Sequence, residues 1–426
     1  MNRRTALTLL AALLLVALAA FPAAAAPGDL DPTFAGGGVR LIQFGANDSQ
    51  AFDLVVMLDN GAVLAGRAFL PGGVEPALAR VDRDGRLVKS FGVNGRMVED
   101  GGGVADIFEA VARQGSKLLA VAVDSTNNTP TADFMVFRFN GNGTLDTSFG
   151  VGGVARTDFG GADRASDLVV LPDGRFVVVG RAIADGTATF GAARFTPGGA
   201  PDTTFGNNGR RRIAFPGAPS GGATAVALRP GGGVVIVGSM QDINVDAGAW
   251  AIAALTPSGG IDTSFSGDGR VRLPFGDNSD GATSVAVRQG KILVGGFVFG
   301  EDTAQDFALV RFQPDGALDP LYGEGGVAIL PSGDEPDVPN GLAIASDGRA
   351  YLVGGTADGN ELGILARVTP GGDPDPSFGD GGFVSFLYNE YAFGSAVGLD
   401  SAERAVVAGE GGVKGTPDML AARFLT

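Results

Sequence analysis

Along most of the chain, apolar and polar residues alternate in short runs that are broken by Gly, Asp, Asn or Pro. Residues 153 to 196 show the pattern well: "GVARTDF", "ASDLVVL", "RFVVVGRA" and "FGAARFT" mix β-branched and aromatic residues with polar neighbours. A period of two puts successive side chains on opposite faces of a strand, so these segments predict four β-strands. The second and third are joined by "PDG", and elsewhere by "DNG" at 59–61 and "SDG" at 346–348. Such turns favour the positive φ of primed hairpins. "TAVALRPGGGVVIVG", "TSVAVRQGKILVGG" and "GLAIASDGRAYLVGG" repeat the same hairpin. No sustained helical period follows the N-terminal apolar run, so the expectation is an all-β protein.

The pattern also recurs at long range. "GTLDTSFGVGGVA" at 143 has near-copies "GDLDPTFAGGGVR" at 28, "GAPDTTFGNNGRR" at 199, "GGIDTSFSGDGRV" at 259 and "GDPDPSFGDGGFV" at 372. The aromatics Phe34, Phe91, Phe149, Phe205, Phe265, Tyr322 and Phe378 are 57, 58, 56, 60, 57 and 56 residues apart. A second column, Arg80, Arg138, Arg194, Arg311, Arg367 and Arg423, has Ala254 in the slot of one copy. From this column to the next aromatic is always 11 residues. Fixed spacing over seven copies marks a repeat protein.

Seven four-stranded units fit a closed ring better than a linear array, which leaves exposed edges and needs capping repeats. The first copy begins at its turn with no fourth strand before it, and the last ends on a fourth strand with no turn after it. The prediction is a seven-bladed β-propeller of four-stranded antiparallel blades, closed by N- and C-terminal segments that share one blade. Residues 27–426 then form a single propeller domain.

The pattern "LD-x-SFG-x-GG", a hairpin ending "VVG", and then "ALARF" resembles the delta-60 repeat of bacterial β-propellers over essentially the whole predicted mature chain. Val88 departs from it where the Asp belongs, Ala254 where the Arg belongs, and Tyr322 where the Phe belongs. The resemblance implies a secreted or cell-surface propeller and brings no catalytic residues.

Composition narrows the functional classes. Residues 1–26, opening "MNRRTALTLLAALLLVALAAF", have two arginines, an apolar run and then small residues, the form of an export signal cleaved within Ala23 to Ala26. No Phe-Leu-Lys follows the arginine pair, which favours the plain secretory route over twin-arginine export. The expected location is secreted, cell-surface or periplasmic, with no membrane span left after cleavage. Losing Arg3 and Arg4 and no acid takes the formal charge from −16 to −18. So acidic a protein is a poor partner for nucleic acid, which needs a basic surface to displace counterions. The chain contains no Cys and no His, so it forms no disulfide, no Ser-His-Asp triad and no imidazole-ligated zinc site.

In a four-stranded meander the Asp-Gly hairpins and the "LDxSFG" turns lie on one face. The other face carries unlike, acidic loops, such as "GDNSDG", "PSGDEPDVP", "DSTNNTPTAD" and "VFGEDTAQD", where a rigid frame would present a binding surface. The repeated Asp31, Asp146, Asp202, Asp262, Asp319 and Asp375 are expected to hold turns and pair with the Arg column, since a specific site rarely needs every blade alike. "DRDG" at 82–85 and "NGNG" at 140–143 lack the remaining ligands of a calcium loop. Calcium between acidic loops, around Asp277, Asp280, Asp334, Glu335 and Asp337, is the metal candidate; no other cofactor is expected. Trp250, Tyr388 and Tyr391 are the ligand candidates, because their rings keep a polar edge at a wet surface. The leading expectation is a monomeric, non-enzymatic scaffold for a protein, a cation or a surface polymer. The alternative is a calcium-dependent hydrolase or lyase acting on a sugar or lactone. Three or more carboxylates converging at the top of the central channel with an ordered metal would favour the enzyme, and a channel of Gly, Ala and Val the scaffold.

Overall fold

The computed structural model describes residues 25–426 apart from 46–47, 101–105, 124–132, 243–246, 276–279, 300–304, 331–336 and 357–361. Of the expected export signal, residues 1–26, all but the last two lie outside the described residues. A first strand, β1 (Val39–Ile42), precedes six consecutive blades. Blade 1 is β2 (Ser49–Val56), β3 (Ala62–Leu70), β4 (Gly73–Val81) and β5 (Arg96–Val98). Blade 2 is β6 (Ile107–Gln114), β7 (Lys117–Val123), β8 (Phe134–Phe139) and β9 (Val154–Thr157). Blade 3 is β10 (Arg164–Val170), β11 (Phe176–Ala184), β12 (Thr187–Phe195) and β13 (Arg210–Ile213). Blade 4 is β14 (Gly221–Leu228), β15 (Val234–Asp242), β16 (Ala247–Leu255) and β17 (Arg270–Leu273). Blade 5 is β18 (Gly281–Arg288), β19 (Lys291–Phe299), β20 (Gln305–Phe312) and β21 (Val327–Leu330). Blade 6 is β22 (Asp337–Ile344), β23 (Ala350–Thr356), β24 (Gly363–Val368) and β25 (Phe383–Phe386).

Blade 7 is the shared one. Its strands β26 (Tyr391–Leu399), β27 (Ala405–Val413) and β28 (Thr416–Phe424) take β1 as their outer edge. The pairing runs antiparallel from Val39 opposite Ala422 to Ile42 opposite Met419. The seven-bladed, all-β prediction therefore holds, and so does the closure. The sequence copy and the blade are nevertheless offset by one strand. The predicted first strand of each copy, such as "GVARTDF", is the outer strand of the preceding blade. Each copy thus ties two blades together.

The hairpin prediction needs one correction. In the "PDG" turn only Gly174 has positive φ, at 84°, and in "DNG" only Asn60, at 61°. Leu171 donates to the carbonyl of Arg175, and Gly174 to that of Leu171. These are three-residue loops closed by one left-handed residue, whereas a type I′ turn requires two.

The first strand of each blade faces a central channel, and all seven carry a β-bulge near their start. The "VVG" glycines sit opposite these bulges. A Cβ on Gly180 would lie 2.0 Å from the Arg164 carbonyl, and one on Gly66 would lie 1.9 Å from that of Gln50. Close backbone approach thus accounts for that Gly, although blade 2 accommodates Ala122 there.

Apolar cores lie between blades. At the boundary of blades 2 and 3, Phe149, Phe176 and Phe195 pack with ring centroids 5.9 and 5.1 Å apart, alongside Val178 and Leu168. All seven repeat aromatics are buried. Burying one Phe side chain contributes roughly 1.5–3 kcal/mol.

Candidate functional site

The repeated motif forms a clasp on the turn face. In blade 2 the Asp146 Oδ1 accepts from the Ser148 hydroxyl at 2.6 Å, and its Oδ2 meets Arg138 Nε at 2.7 Å and Lys117. The Arg138 guanidinium lies over the Phe149 ring at 4.4 Å and donates to the Pro197 carbonyl of blade 3 at 2.6 Å. Phe149 in turn sits beneath the blade 3 turn. There Gly199, at φ 89°, leaves only 2.8 Å between a would-be Cβ and the ring. Gly150 N–H completes the clasp on the Gly198 carbonyl at 2.9 Å.

The same parts recur around the ring. The Arg Nε to Asp distances are 2.8 Å for Arg194 and Asp202, 2.7 Å for Arg311 and Asp319, and 2.9 Å for Arg367 and Asp375. Arg423 and Asp31 pair at 2.9 Å across the closure, where Gly379 N–H reaches the Pro27 carbonyl at 3.1 Å. The Lys117 and Ser148 hydrogen bonds and the Arg138 charge hold Asp146 well below the usual carboxylate range. Burial pushes Asp202 up, but the Thr204 hydroxyl and N–H, Arg175 and Arg194 outweigh it and bring it down to about 2.

Two departures from the motif are compensated by residues that fixed spacing does not point to. Where Ala254 lacks the guanidinium, Arg229 from the blade 4 hairpin pairs with Asp262 at 2.7 Å. It also bonds the Pro314 carbonyl at 2.9 Å and lies over Phe265 at 5.4 Å. Where Val88 lacks the carboxylate, Asp59 from the hairpin pairs with Arg80 at 2.9 Å, and Arg80 still bonds the Gly141 carbonyl at 2.9 Å.

Of the metal candidates, Asp280 and Asp337 lie among the described residues. Asp277, Asp334 and Glu335 lie outside the described residues. Asp280 is buried before β18, and its two oxygens accept from Phe275 N at 3.1 Å and Phe299 N at 3.0 Å. It staples the loop entering blade 5, as Asp163 does in blade 3 through Phe159 N at 2.6 Å and Ile183 N at 2.7 Å. Asp337 occupies the same position in blade 6 and is buried at the start of β22. Asp133, Asp158 and Asp163 bring carboxylate oxygens within 4.8 Å of one another, but both Asp163 oxygens already accept those backbone N–H groups.

Trp250 is not a surface residue. It lies within β16, fully buried between blades 4 and 5, and its indole N–H donates to the Phe297 carbonyl at 3.0 Å. The strand starts earlier than its Gly- and Ala-rich sequence suggested, which places the ring in the core. Tyr388 is half-buried and packs against the blade 6–7 core. Tyr391 is also half-buried, and its hydroxyl donates to Glu410 at 2.5 Å.

What sequence reasoning missed is which residues line the channel. The bulged residues Phe52, Glu109, Ser166, Thr224, Thr283, Asn340 and Ser395 line a cavity of about 200 Å³ and a wider mouth of about 460 Å³. The mouth adds Arg164, Phe393 and Glu410, residues at the ends of their strands nearest the unlike loops, so it opens on the variable face. Glu109 pairs with Arg164. Thr224 donates its hydroxyl proton to the Ala282 carbonyl at 2.8 Å, and Asn340 Nδ2 donates to the Gly394 carbonyl at 3.0 Å. The Thr224 hydroxyl proton is thus spent on protein, which leaves its oxygen as an acceptor, and Asn340 keeps its amide oxygen as an acceptor beside one further N–H.

Deeper down, Asp53 accepts from Val111 N at 2.7 Å and Asp167 from Val226 N at 2.8 Å, each reaching into the next blade. Both line the deeper cavity of the channel. Burial raises Asp53 to about 7 against the opposing Val111 N–H bond, with the Asp167 charge adding to the rise. Burial likewise raises Asp167 to about 6.

Fold and channel define the class, a seven-bladed β-propeller. A family profile described as a domain of unknown function (DUF5122) β-propeller matches residues 117–149, 171–205, 290–322 and 345–378. Each matched segment ends on a repeat aromatic. No curated protein matches the chain by sequence. Among solved structures, a catalytically inactive virginiamycin B lyase from Staphylococcus aureus, determined with quinupristin, is similar at 11% identity and a TM-score of 0.52. That match covers 91% of this chain and 99% of the lyase. A puromycin hydrolase is similar at 14% identity and a TM-score of 0.53, over 93% of this chain but only 54% of its own. Sqt1 from Chaetomium thermophilum is similar at 13% identity and a TM-score of 0.51, over 90% and 96%. At such identities the likeness is one of fold alone. No helix among the described residues is long and apolar enough to cross a membrane.

Proposed function

We propose that this chain is an exported propeller of the delta-60 kind that binds a hydrogen-bond-donating partner at its channel mouth and performs no chemistry on it. The observation that carries this reading is the acceptor-biased ring at the bulge column. The bulge recurs in every blade, yet its side chain differs between blades, as a site for an asymmetric ligand requires. Hydroxyl-rich or amine-bearing segments of a surface polymer supply donors to Glu109, Thr224 and Asn340, and Phe52 and Phe393 supply flat apolar walls. The acidic loops on the same face favour a cationic partner.

The test is a crystal of the secreted form soaked with calcium and a panel of neutral and amino-substituted oligosaccharides. An intact oligosaccharide ordered against Phe52, Thr224 and Asn340 is the expected result. Saccharide ordered only on the turn face would contradict the proposal.

A second reading rests on Asp53 and Asp167, whose raised values place two proton-exchanging carboxylates in the channel beside Glu109. Under it the protein is a calcium-dependent hydrolase or lyase. Turnover of a soaked sugar or lactone that requires calcium and is lost in Asp53→Asn would establish that reading over binding alone.

A further inference from the structure

The geometry points to a primary alkylammonium group as the ligand of the deeper cavity, below the channel mouth. The inference rests on the reading of the mouth as a binding site and names what reaches past it. In each blade the residue after the bulged one rejoins the strand ladder. In blades 1, 3 and 5 that residue is Asp53, Asp167 and Ser284, whereas the other four blades place only Ala or Gly there. All three polar residues line the cavity of about 200 Å³.

The two carboxylates lack a counter-ion. Asp53 and Asp167 are half-buried, and each accepts one backbone N–H from the next blade, but neither meets a Lys or Arg among the described residues. Arg164 is the one cation lining the cavity or its mouth, and it pairs with Glu109. Carboxylates withdrawn from water are ordinarily paired, so this enclosed space calls for a cation. Ser284 is an independent sign of a ligand. Its side chain is only 9% exposed and makes no hydrogen bond among the described residues, yet its oxygen is not sealed and keeps accessible surface. The residue facing it is Gly295, where the other six blades carry Ala or Val. A Cβ on Gly295 would stand 2.7 Å from the Ser284 Oγ. Room is thus kept for a hydroxyl that the fold does not use.

Number and shape select the cation. An –NH₃⁺ group carries three donors and no acceptor, and three acceptors on alternate blades surround the channel axis. Each donor is met directly or through one bridging water. Between the acceptors stand Ala110, Val285, Leu342 and Val397, whose apolar surface suits an alkyl stem coming down from the mouth. Among the described residues no third carboxylate joins Asp53 and Asp167 within metal-ligand reach, which argues against a divalent ion.

The test is calorimetric titration of the full chain with pentylammonium at about pH 8, where both carboxylates are ionised. Pentanol, which lacks the charge, and pentyltrimethylammonium, which keeps the charge but lacks the donors, are titrated in parallel. Asp53→Asn and Asp167→Asn keep an oxygen for the Val111 and Val226 N–H groups, and Ser284→Ala installs a residue that other blades use there, so all three variants are built to fold. Pentylammonium is expected to bind the parent, with each Asn variant weakening it about tenfold and Ser284→Ala weakening it less. No heat at millimolar concentration, or equal binding to the parent and all three variants, would overturn the site. Pentyltrimethylammonium or calcium binding as tightly as pentylammonium would overturn the assignment to a three-donor ammonium. An oligosaccharide ordered at the mouth of a protein that ignores pentylammonium would sink this inference and leave the mouth reading standing. Pentylammonium bound in a protein whose mouth orders no saccharide would do the reverse.

Discussion

The aromatic column and the bulge column each pass once round the ring, one residue per blade, and they have opposite characters. The aromatic column is nearly uniform, and every member is buried against the next blade. The bulge column runs Phe, Glu, Ser, Thr, Thr, Asn, Ser and opens on the channel. Uniformity follows from doing one mechanical task seven times, because each clasp meets the same turn in the next blade. Variety is possible where the backbone alone keeps the geometry and the side chain is released from packing. Exceptions within the uniform column are informative for the same reason. Ala254 and Val88 are repaired from a hairpin, whereas Tyr322 adds a hydroxyl that the packing does not use.

This contrast can be broken most forcefully at an aromatic. Phe149→Ala removes a ring shared by two blades and should cost about 3–5 kcal/mol in urea unfolding. A loss near zero would mean that the motif is not what joins the blades. Arg138→Ala should cost about 2–3 kcal/mol, softened because Lys117 still reaches Asp146. Arg229→Ala should cost a similar amount despite lying outside the Arg column, and adding Ala254→Arg to it should recover most of the loss. If the second change recovers nothing, the repair described for blade 4 is wrong.

Acidity separates the two columns further. Asp53 and Asp167 are raised to about 7 and about 6 from 3.8. A raised carboxylate keeps its proton in the folded state, so its contribution is full below pH ~4 and is lost as pH rises toward ~7. Asp202, lowered to about 2 in the clasp, acts oppositely: its contribution is full above pH ~4 and is lost as pH falls to ~2. The melting temperature should peak near pH ~4 to ~5, and Asp53→Asn should flatten only the alkaline limb. An alkaline limb unchanged in that variant would remove Asp53 from the account. The smallest effect is expected at Ser395→Ala, within ~0.5 kcal/mol of the parent, as for other substitutions outside packed or bonded positions. A loss of several times that would mean the bulge column is mechanical too.

The ring was legible from sequence because Phe149 and its counterparts recur at one spacing and the first and last copies are complementary halves. The offset between copy and blade was not legible, since strand periodicity says nothing about which neighbour "GVARTDF" pairs with. The residues lining the channel were hidden because a bulge breaks the period of two and leaves no residue signature of its own. Its trace is the Gly on the facing strand, Gly66 or Gly180, which has other uses in a sequence. Trp250 was misplaced because hydropathy near a loop cannot tell a surface indole from one in the core. The backbone bonds of Asp280 were not legible because a loop carboxylate and a staple read alike. Arg229 and Asp59 escaped notice because their partners are set by geometry across a hairpin.

The central claim is that the repeated motif is a clasp carried unbroken round all seven boundaries, including the one that joins the two ends of the chain. Hydrogen exchange of the amides that cross those boundaries tests it most directly. Gly92, Gly150, Gly206, Ser266 and Gly323 donate within the continuous chain, and Gly379 and Ala35 donate on either side of the closure. All seven should exchange only through global unfolding, with protection within about tenfold of one another. Loop-like exchange at Gly379 and Ala35 with the other five protected would show that the ring is not closed as described.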